Sequence, residues 1–345
     1  MKKLFVIVCF FIMLLKVEAS IVVMDSNSGR VLYSENKDEK KLIASTVKIL
    51  TTIIALENGN LNDKFIVGEE IKKANGSMIY IKEGEKISLN DLLYGLNLRS
   101  GNDAAQVIAT NVLGYDIFIN EMNKKAVSLG MYNSIFENPH GLNDDTKNYS
   151  TAYDLALLMK YAIKNKTFLE ISSTKKYKTK TDKNEYIWYN KNDLLSSYKY
   201  TTAGKIGYTK ASGQVFVSSA SKDGKNLIIV SIDEANKFTL HKNLYEKYFN
   251  IYKNYKILDE YTFSINDDRY KNYYMYIKED VNLLLTKQEA EKLKITAKIK
   301  NKLEDEVAGY LEFKIDDKVI YKENIYYLEY ESRKNKIKSL LFSKK

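Results

Sequence analysis

Residues 42–60, LIASTVKILTTIIALENGN, carry a helical pattern that is apolar on nearly every side. A helix that is hydrophobic all round is stable only when other elements enclose it. The chain must therefore build a domain thick enough to surround this segment. Its 345 residues, 45% hydrophobic and 28% charged, suit one large globular domain plus a smaller one. One residue resists the burial: Lys48 stands three positions after Ser45, and an ammonium on such a helix loses its water. Gly59 supplies the helix stop.

The elements around this helix set the fold class. Residues 21–36, IVVMDSNSGRVLYSEN, read as a hairpin turning at Ser28-Gly29, and the first strand is expected at a sheet edge. Residues 89–114 hold two helical patterns broken at Ser100-Gly101-Asn102, and 115–131 form a further amphipathic helix. A helix over 149–165 opens with Thr151 and Asp154 at capping-box spacing. Residues 175–190 alternate as a hairpin, 201–235 form two or three strands with Gly-rich turns, and 237–255 close the unit as a long helix. Strands at both ends with helices between them predict an α+β domain over 20–256, an antiparallel sheet with helices on its faces. Short alternating runs with Asp- and Gly-containing turns predict a small all-β domain over 257–331. The tail, 332–345, is basic and carries Ile337, Leu340, Leu341 and Phe342, a pattern suited to a membrane interface.

The N-terminus, MKKLFVIVCFFIMLLKVEAS, has the layout of a secretory signal peptide. Lys2 and Lys3 precede an apolar core from Leu4 to Leu15, too short for a comfortable span, and small residues end at Ala19. Cys9, the only cysteine, lies within it, so the chain after residue 19 has no thiol for a disulfide, a metal or a nucleophile. Cleavage takes three lysines and one glutamate from a net charge of +10, leaving about +8. An exported basic protein meets an anionic membrane or wall surface rather than nucleic acid.

Three short motifs carry the chemistry. They are Ser45-Thr46-Val47-Lys48, Ser100-Gly101-Asn102 and Lys205-Ile206-Gly207, placed at a helix start, in a helix break and on a strand. A serine hydroxyl needs a base within hydrogen-bond reach to act as a nucleophile. Residues i and i+3 share a helix face, which brings the Lys48 amine to Ser45. The amine serves as a base only if burial and a second cation, Lys205, lower its pKa. Ser100 is suited to relay a proton to a leaving amine, and the Asn102 amide to hold Lys48 and a substrate carbonyl. Lys205 offers charge to a substrate carboxylate. The N–H groups of Ser45 and Tyr208 are candidates for an oxyanion hole. His140 lacks a Ser-His-Asp context and is expected to shape its loop, His241 to be structural and Lys191 to lie on the surface rather than to add positive charge at a substrate carboxylate.

The chain resembles the D-alanyl-D-alanine carboxypeptidases, low-molecular-weight penicillin-binding proteins that trim peptidoglycan. The likeness rests on the three motifs and on DSNSGRVLYSEN, LNDLLYGLNLRSGNDAAQVIA, ENPHGLNDDTKNYSTAYDLALLM and NKNDLL, and it covers residues 20–255. It implies a serine peptidase with no metal or organic cofactor. Ser45 would be acylated by the D-Ala-D-Ala carbonyl of a peptidoglycan pentapeptide, with Lys48 as base and Ser100 and Asn102 assisting. Lys205, Gly207, Tyr208 and Thr209 would line the substrate strand, and β-lactams would acylate the same serine. The protein is expected outside the cytoplasmic membrane, touching it through the tail. Two departures stand out: Ile206 replaces the motif threonine, whose hydroxyl helps hold the substrate carboxylate, and Ile43 replaces a proline. Two alternatives follow, a β-lactamase-like hydrolase and a weakened wall-peptide binder. Glu137-Asn138-Pro139-His140 lacks the leucine that the deacylation loop of a β-lactamase requires.

Overall fold

The computed structural model describes residues 19–143 and 146–330. The expected signal segment up to residue 18 and the basic tail 332–345 lie outside the described residues.

Five strands form the main sheet: β1 (Ser20–Asp25), β2 (Val31–Glu35), β3 (Thr201–Thr209), β4 (Gly213–Lys222) and β5 (Lys225–Ile232). Their spatial order is β2-β1-β5-β4-β3, with every neighbouring pair antiparallel. The sheet therefore takes strands from both ends of the domain, as the α+β reading predicts. The first strand is not an edge, however: β1 pairs with β5 on one side and β2 on the other, leaving β2 and β3 outermost. β1 is buried throughout, and its apolar run SIVVMD suits a strand covered on both faces.

Period-two alternation divides the sheet between two cores. Val22, Met24, Val217 and Val230 face a helical layer, while Val23, Phe216 and Ile229 pack on Tyr245, Tyr248 and Phe249 of the closing helix, Lys237–Ile251. The helical layer holds α1 (Lys48–Asn58), α2 (Leu89–Tyr94), α3 (Asn102–Val112), α4 (Tyr115–Ser128), α5 (Ala152–Ala162) and α6 (Lys166–Ser173). α1 is enclosed as its composition requires, with every residue from Lys48 to Ala55 buried. Each fully buried Ile or Leu there contributes roughly 1.5–3 kcal/mol.

Several boundaries differ from expectation. Ala44–Val47 is a 3-10 turn, and α1 begins only at Lys48. The helix expected over 149–165 is shorter, since Tyr149–Ser150 pairs as a strand with Lys41–Leu42 before α5 begins, and α6 beyond it was not anticipated. Thr151 caps α5 by accepting from the Asp154 N–H, while the Asp154 carboxylate turns to Asn133 and Ser134 instead of completing a box. The closing helix stops at Ile251, because Lys253–Leu258 is already a strand paired with Val281–Leu285.

That strand leads into a β-rich unit. Its four-stranded sheet orders Tyr273–Tyr276, Lys318–Glu329, Val307–Ile315 and Lys294–Ile299 over a core that includes Met275, Leu283, Phe313 and Ile325. It is not wholly β, since Lys287–Lys292 is a short helix with a full capping box between Thr286 and Glu289. Arg30 joins the two units, donating to the Leu284 carbonyl at 2.9 Å and pairing with Glu289.

Candidate active site

Three elements converge where α1 begins. Ser45 lies in the 3-10 turn that leads into α1, and Ala44 before it adopts a left-handed φ of 46°. The second motif follows a π-helical turn at Gly95–Arg99 that ends with Ser100 at φ 65°, and Asn102 opens α3. A wide turn of this kind is a recurrent feature of functional sites. β3, an edge strand, carries the third motif, and its residues Lys205 and Gly207 are buried toward the helical side. A Cβ on Gly207 would lie 2.9 Å from the Ser45 nitrogen, so only glycine lets the strand come this close.

The lysine amine is the centre of the arrangement. Lys48 is 0% exposed, and its Nζ lies 2.9 Å from Ser45 Oγ, 2.6 Å from Asn102 Oδ1 and 2.8 Å from the His140 carbonyl. A neutral amine has two N–H donors and one lone pair. Two acceptors that cannot donate and one hydroxyl that can are the complement of that set. Burial pushes the Lys48 pKa well below 10.5, and the Lys205 charge lowers it further. Both considerations favour the neutral form, with the Ser45 hydroxyl directed at the lone pair.

Ser100 bridges the two lysines, with its Oγ 3.4 Å from Lys48 Nζ and 3.0 Å from Lys205 Nζ. Lys205 also donates to the Ile206 carbonyl at 2.9 Å. Burial, and then the charge of Lys191, lowers Lys205 to about 7. Ser45 itself is half-buried and Tyr208 is 63% exposed, so the mouth of the site is open beside a buried amine.

All the motif residues named from the sequence come together except where side chains have other work. Ile206 packs against the cluster under the closing helix. The Thr209 hydroxyl accepts from Asn143 Nδ2 at 3.1 Å and meets Ser212 Oγ at 2.8 Å, so it ties β3 to the 138–143 loop. Lys191 is a correction: it is half-buried, it donates to Ser77 Oγ at 3.3 Å, and its charge is felt at both Lys48 and Lys205. His241 is structural as expected, buried between Ser218 and Ser231.

The sequence reading missed the contribution of the NPHGL loop through its backbone. The Asn138 carboxamide oxygen accepts from the His140 and Gly141 N–H groups, and His140 Nδ1 accepts from the Leu142 N–H, which is the loop-shaping role expected of the imidazole. Thr51, one turn after Lys48 on α1, donates to the Pro139 carbonyl at 2.7 Å. Together these aim the His140 carbonyl at Lys48. A threonine in the middle of an apolar helix was the available signal, because a buried hydroxyl requires a partner. Asp103 was also missed. Fully buried, it accepts from the N–H groups of Ile79 and Tyr80, and burial lifts its carboxyl above the usual range. Among the described residues, no group of three or more His, Cys, Asp or Glu is placed to hold a metal ion. No helix among them is long and apolar enough to cross a membrane.

Residues 15–236 match the family model described as D-alanyl-D-alanine carboxypeptidase. D-alanyl-D-alanine carboxypeptidase DacB2 of Mycobacterium tuberculosis is 32% identical over 209 residues, which cover 60% of this chain and 72% of that protein. DacF of Bacillus subtilis is 32% identical over 218 residues, covering 61% of this chain and 56% of that protein. The crystal structure of penicillin-binding protein 5 from Haemophilus influenzae aligns with a TM-score of 0.75 over 90% of this chain and 96% of that one, at 23% identity. That last likeness reaches into the β-rich unit and concerns the fold alone.

Proposed function

The chain belongs to the D-alanyl-D-alanine carboxypeptidase family of serine peptidases, and from that premise we propose that Ser45 removes the terminal D-alanine from peptidoglycan pentapeptides through an acyl-enzyme. The observation that carries this reading is the Lys48 amine, buried and 2.9 Å from Ser45 Oγ with two acceptors on its N–H groups. In the acylation step, Ser45 Oγ attacks the carbonyl carbon of the penultimate D-alanine while its proton passes to Lys48. The peptide oxygen takes the charge between the N–H groups of Ser45 and Tyr208. As the C–N bond breaks, the proton moves from Lys48 through Ser100 to the departing amine. Water then attacks the ester carbon as Lys48 accepts its proton, and Lys48 returns that proton to Ser45 Oγ as the C–O bond breaks, freeing the shortened peptide and the serine. Lys205 holds the terminal carboxylate, with no hydroxyl at Ile206 to help.

The test is D-alanine release from a pentapeptide by the parent chain and by Ser45→Ala, together with labelling by a fluorescent penicillin. Release and labelling are expected in the parent and neither in the variant. Equal labelling of both would remove Ser45 from the nucleophile's role.

The two lysines predict a bell-shaped pH dependence, because one must lose its proton and the other must keep it. kcat/KM is expected to rise as Lys48 is deprotonated and to fall as Lys205 loses its charge near pH 7. In kcat the alkaline limb should move upward, since a bound carboxylate holds the Lys205 proton in place. Lys205→Arg keeps the charge at every pH and should abolish the limb; a limb unchanged in that variant assigns it to another group.

Export fits the same reading. It is supported by the signal-like segment 1–19, and the basic tail 332–345 suits contact with an anionic membrane surface.

A further inference from the structure

Eight non-glycine residues have a positive φ among those described, and five of them are Asn or Asp, which tolerate that conformation. The other three are Ala44, Ser100 and Tyr80. Ala44 precedes the nucleophile and Ser100 belongs to the second motif, so both distortions serve the site. Tyr80, at φ 62°, takes no part in the chemistry described above.

The fold explains its backbone but not its ring. The 75–81 segment lies on the second motif: the Ser77 carbonyl accepts from Asn102 N at 2.7 Å, and the Asn75 carbonyl from Asn102 Nδ2 at 2.5 Å. Ile79 fills a notch left by Gly95 and Gly101, each of which would bring a Cβ to 3.0 Å or less from it. The Asp103 carboxylate accepts from the N–H groups of Ile79 at 3.0 Å and Tyr80 at 2.8 Å, which fixes the left-handed turn. Glycine or asparagine would make this turn with less strain. A bulky aromatic is a costly choice there, and with Tyr80 71% exposed, packing returns little. A use for the ring therefore lies outside the packing of the fold.

Its position along the site indicates what that is. The polar groups run in sequence from Lys205 through Ser100 and Lys48 to Asn102. On the reading above, the terminal carboxylate lies at the Lys205 end. The peptide chain leading up to the scissile bond then leaves at the Asn102 end, and the segment that bears Tyr80 is hydrogen-bonded to Asn102. We propose that Tyr80 is a specificity-determining residue whose ring covers the side chain of the residue preceding the D-Ala-D-Ala pair. Its ligand is the aliphatic portion of that side chain, held by an aromatic face. The inference rests on the reading of the site as a carboxypeptidase.

The experiment compares the parent with Tyr80→Asn and Tyr80→Phe on two peptides, acyl-Lys-D-Ala-D-Ala and acyl-Gly-D-Ala-D-Ala. Tyr80→Asn relieves the backbone, so its melting temperature should equal or exceed the parent's. It should raise KM for the Lys peptide about tenfold, leave KM for the Gly peptide within twofold, and leave kcat nearly unchanged. Tyr80→Phe should match the parent on both. An unchanged KM, an equal loss on both peptides, or a fall in kcat at constant KM overturns the proposal. Failure of the carboxypeptidase reading shows separately, as no D-alanine release by the parent. The ring is then tested by calorimetric binding of the two peptides, where Tyr80→Asn should weaken the Lys peptide alone by about tenfold, and equal binding overturns it.

Discussion

Lys48→Met is expected to fold with a melting temperature within a few degrees of the parent and to release D-alanine roughly a thousandfold more slowly or worse. Two opposing effects keep its stability near the parent's. Methionine suits an enclosed position better than an amine that must stay uncharged, and it fills a similar volume. Against that, Asn102 Oδ1 loses the Lys48 donor, which costs about 1–3 kcal/mol, while the His140 carbonyl keeps Ser45 Oγ at 3.4 Å. Activity has no such balance, since the only amine within hydrogen-bond distance of Ser45 Oγ among the described residues is that of Lys48. The measurements are thermal unfolding and the rate of Ser45 acylation by a labelled penicillin. Acylation at a tenth of the parental rate or faster would show that another group takes the proton.

Gly141→Ala is expected to damage both stability and activity without touching any side chain of the site. Gly141 has φ 94°, and a Cβ there would lie 2.1 Å from the Ala44 carbonyl oxygen and 2.8 Å from the Ser45 nitrogen. Both are backbone atoms, so rotating a side chain cannot relieve the contact. The NPHGL loop or the Ser45 turn must move by about an ångström. Either shift takes the His140 carbonyl from Lys48, or the Ser45 nitrogen from its place beside Gly207. Overpacking together with the left-handed φ should cost about 3 kcal/mol, a fall of roughly 6–12 °C in melting temperature. A misplacement of that size should slow acylation about a hundredfold. A variant as stable and as fast as the parent would mean that the loop is not held against Ser45 in solution.

These two positions differ in how they were found. Lys48 was legible in the sequence, because three residues along a helical chain bring Ser45 and Lys48 onto one face whatever surrounds them. An apolar setting for a lysine already pointed to an uncharged amine. Gly141 and the His140 carbonyl were not legible, since a main-chain acceptor has the same chemistry at every residue. Only the path of the chain aims one at Lys48. Lys191 was misread for a related reason: NKNDLL looks like an exposed loop, and nothing local says that Ser77 comes from a distant segment to half-bury it.

The same division holds for the fold. Local patterning determined the enclosed helix, the stop at Gly59, the cap at Thr151 and the hairpin over 175–190, because each depends on residues within a turn or two of one another. Sheet order was a tertiary decision. β1 looked like an edge strand by its place at the start of the domain, and it became interior when β5, some two hundred residues later, paired along its free side. The tertiary structure also decided the protonation of the site. Desolvation depends on everything packed around a group, and it is this, with Lys205 and Lys191 close by, that pushes Lys48 well below its ordinary value and lowers Lys205 to about 7.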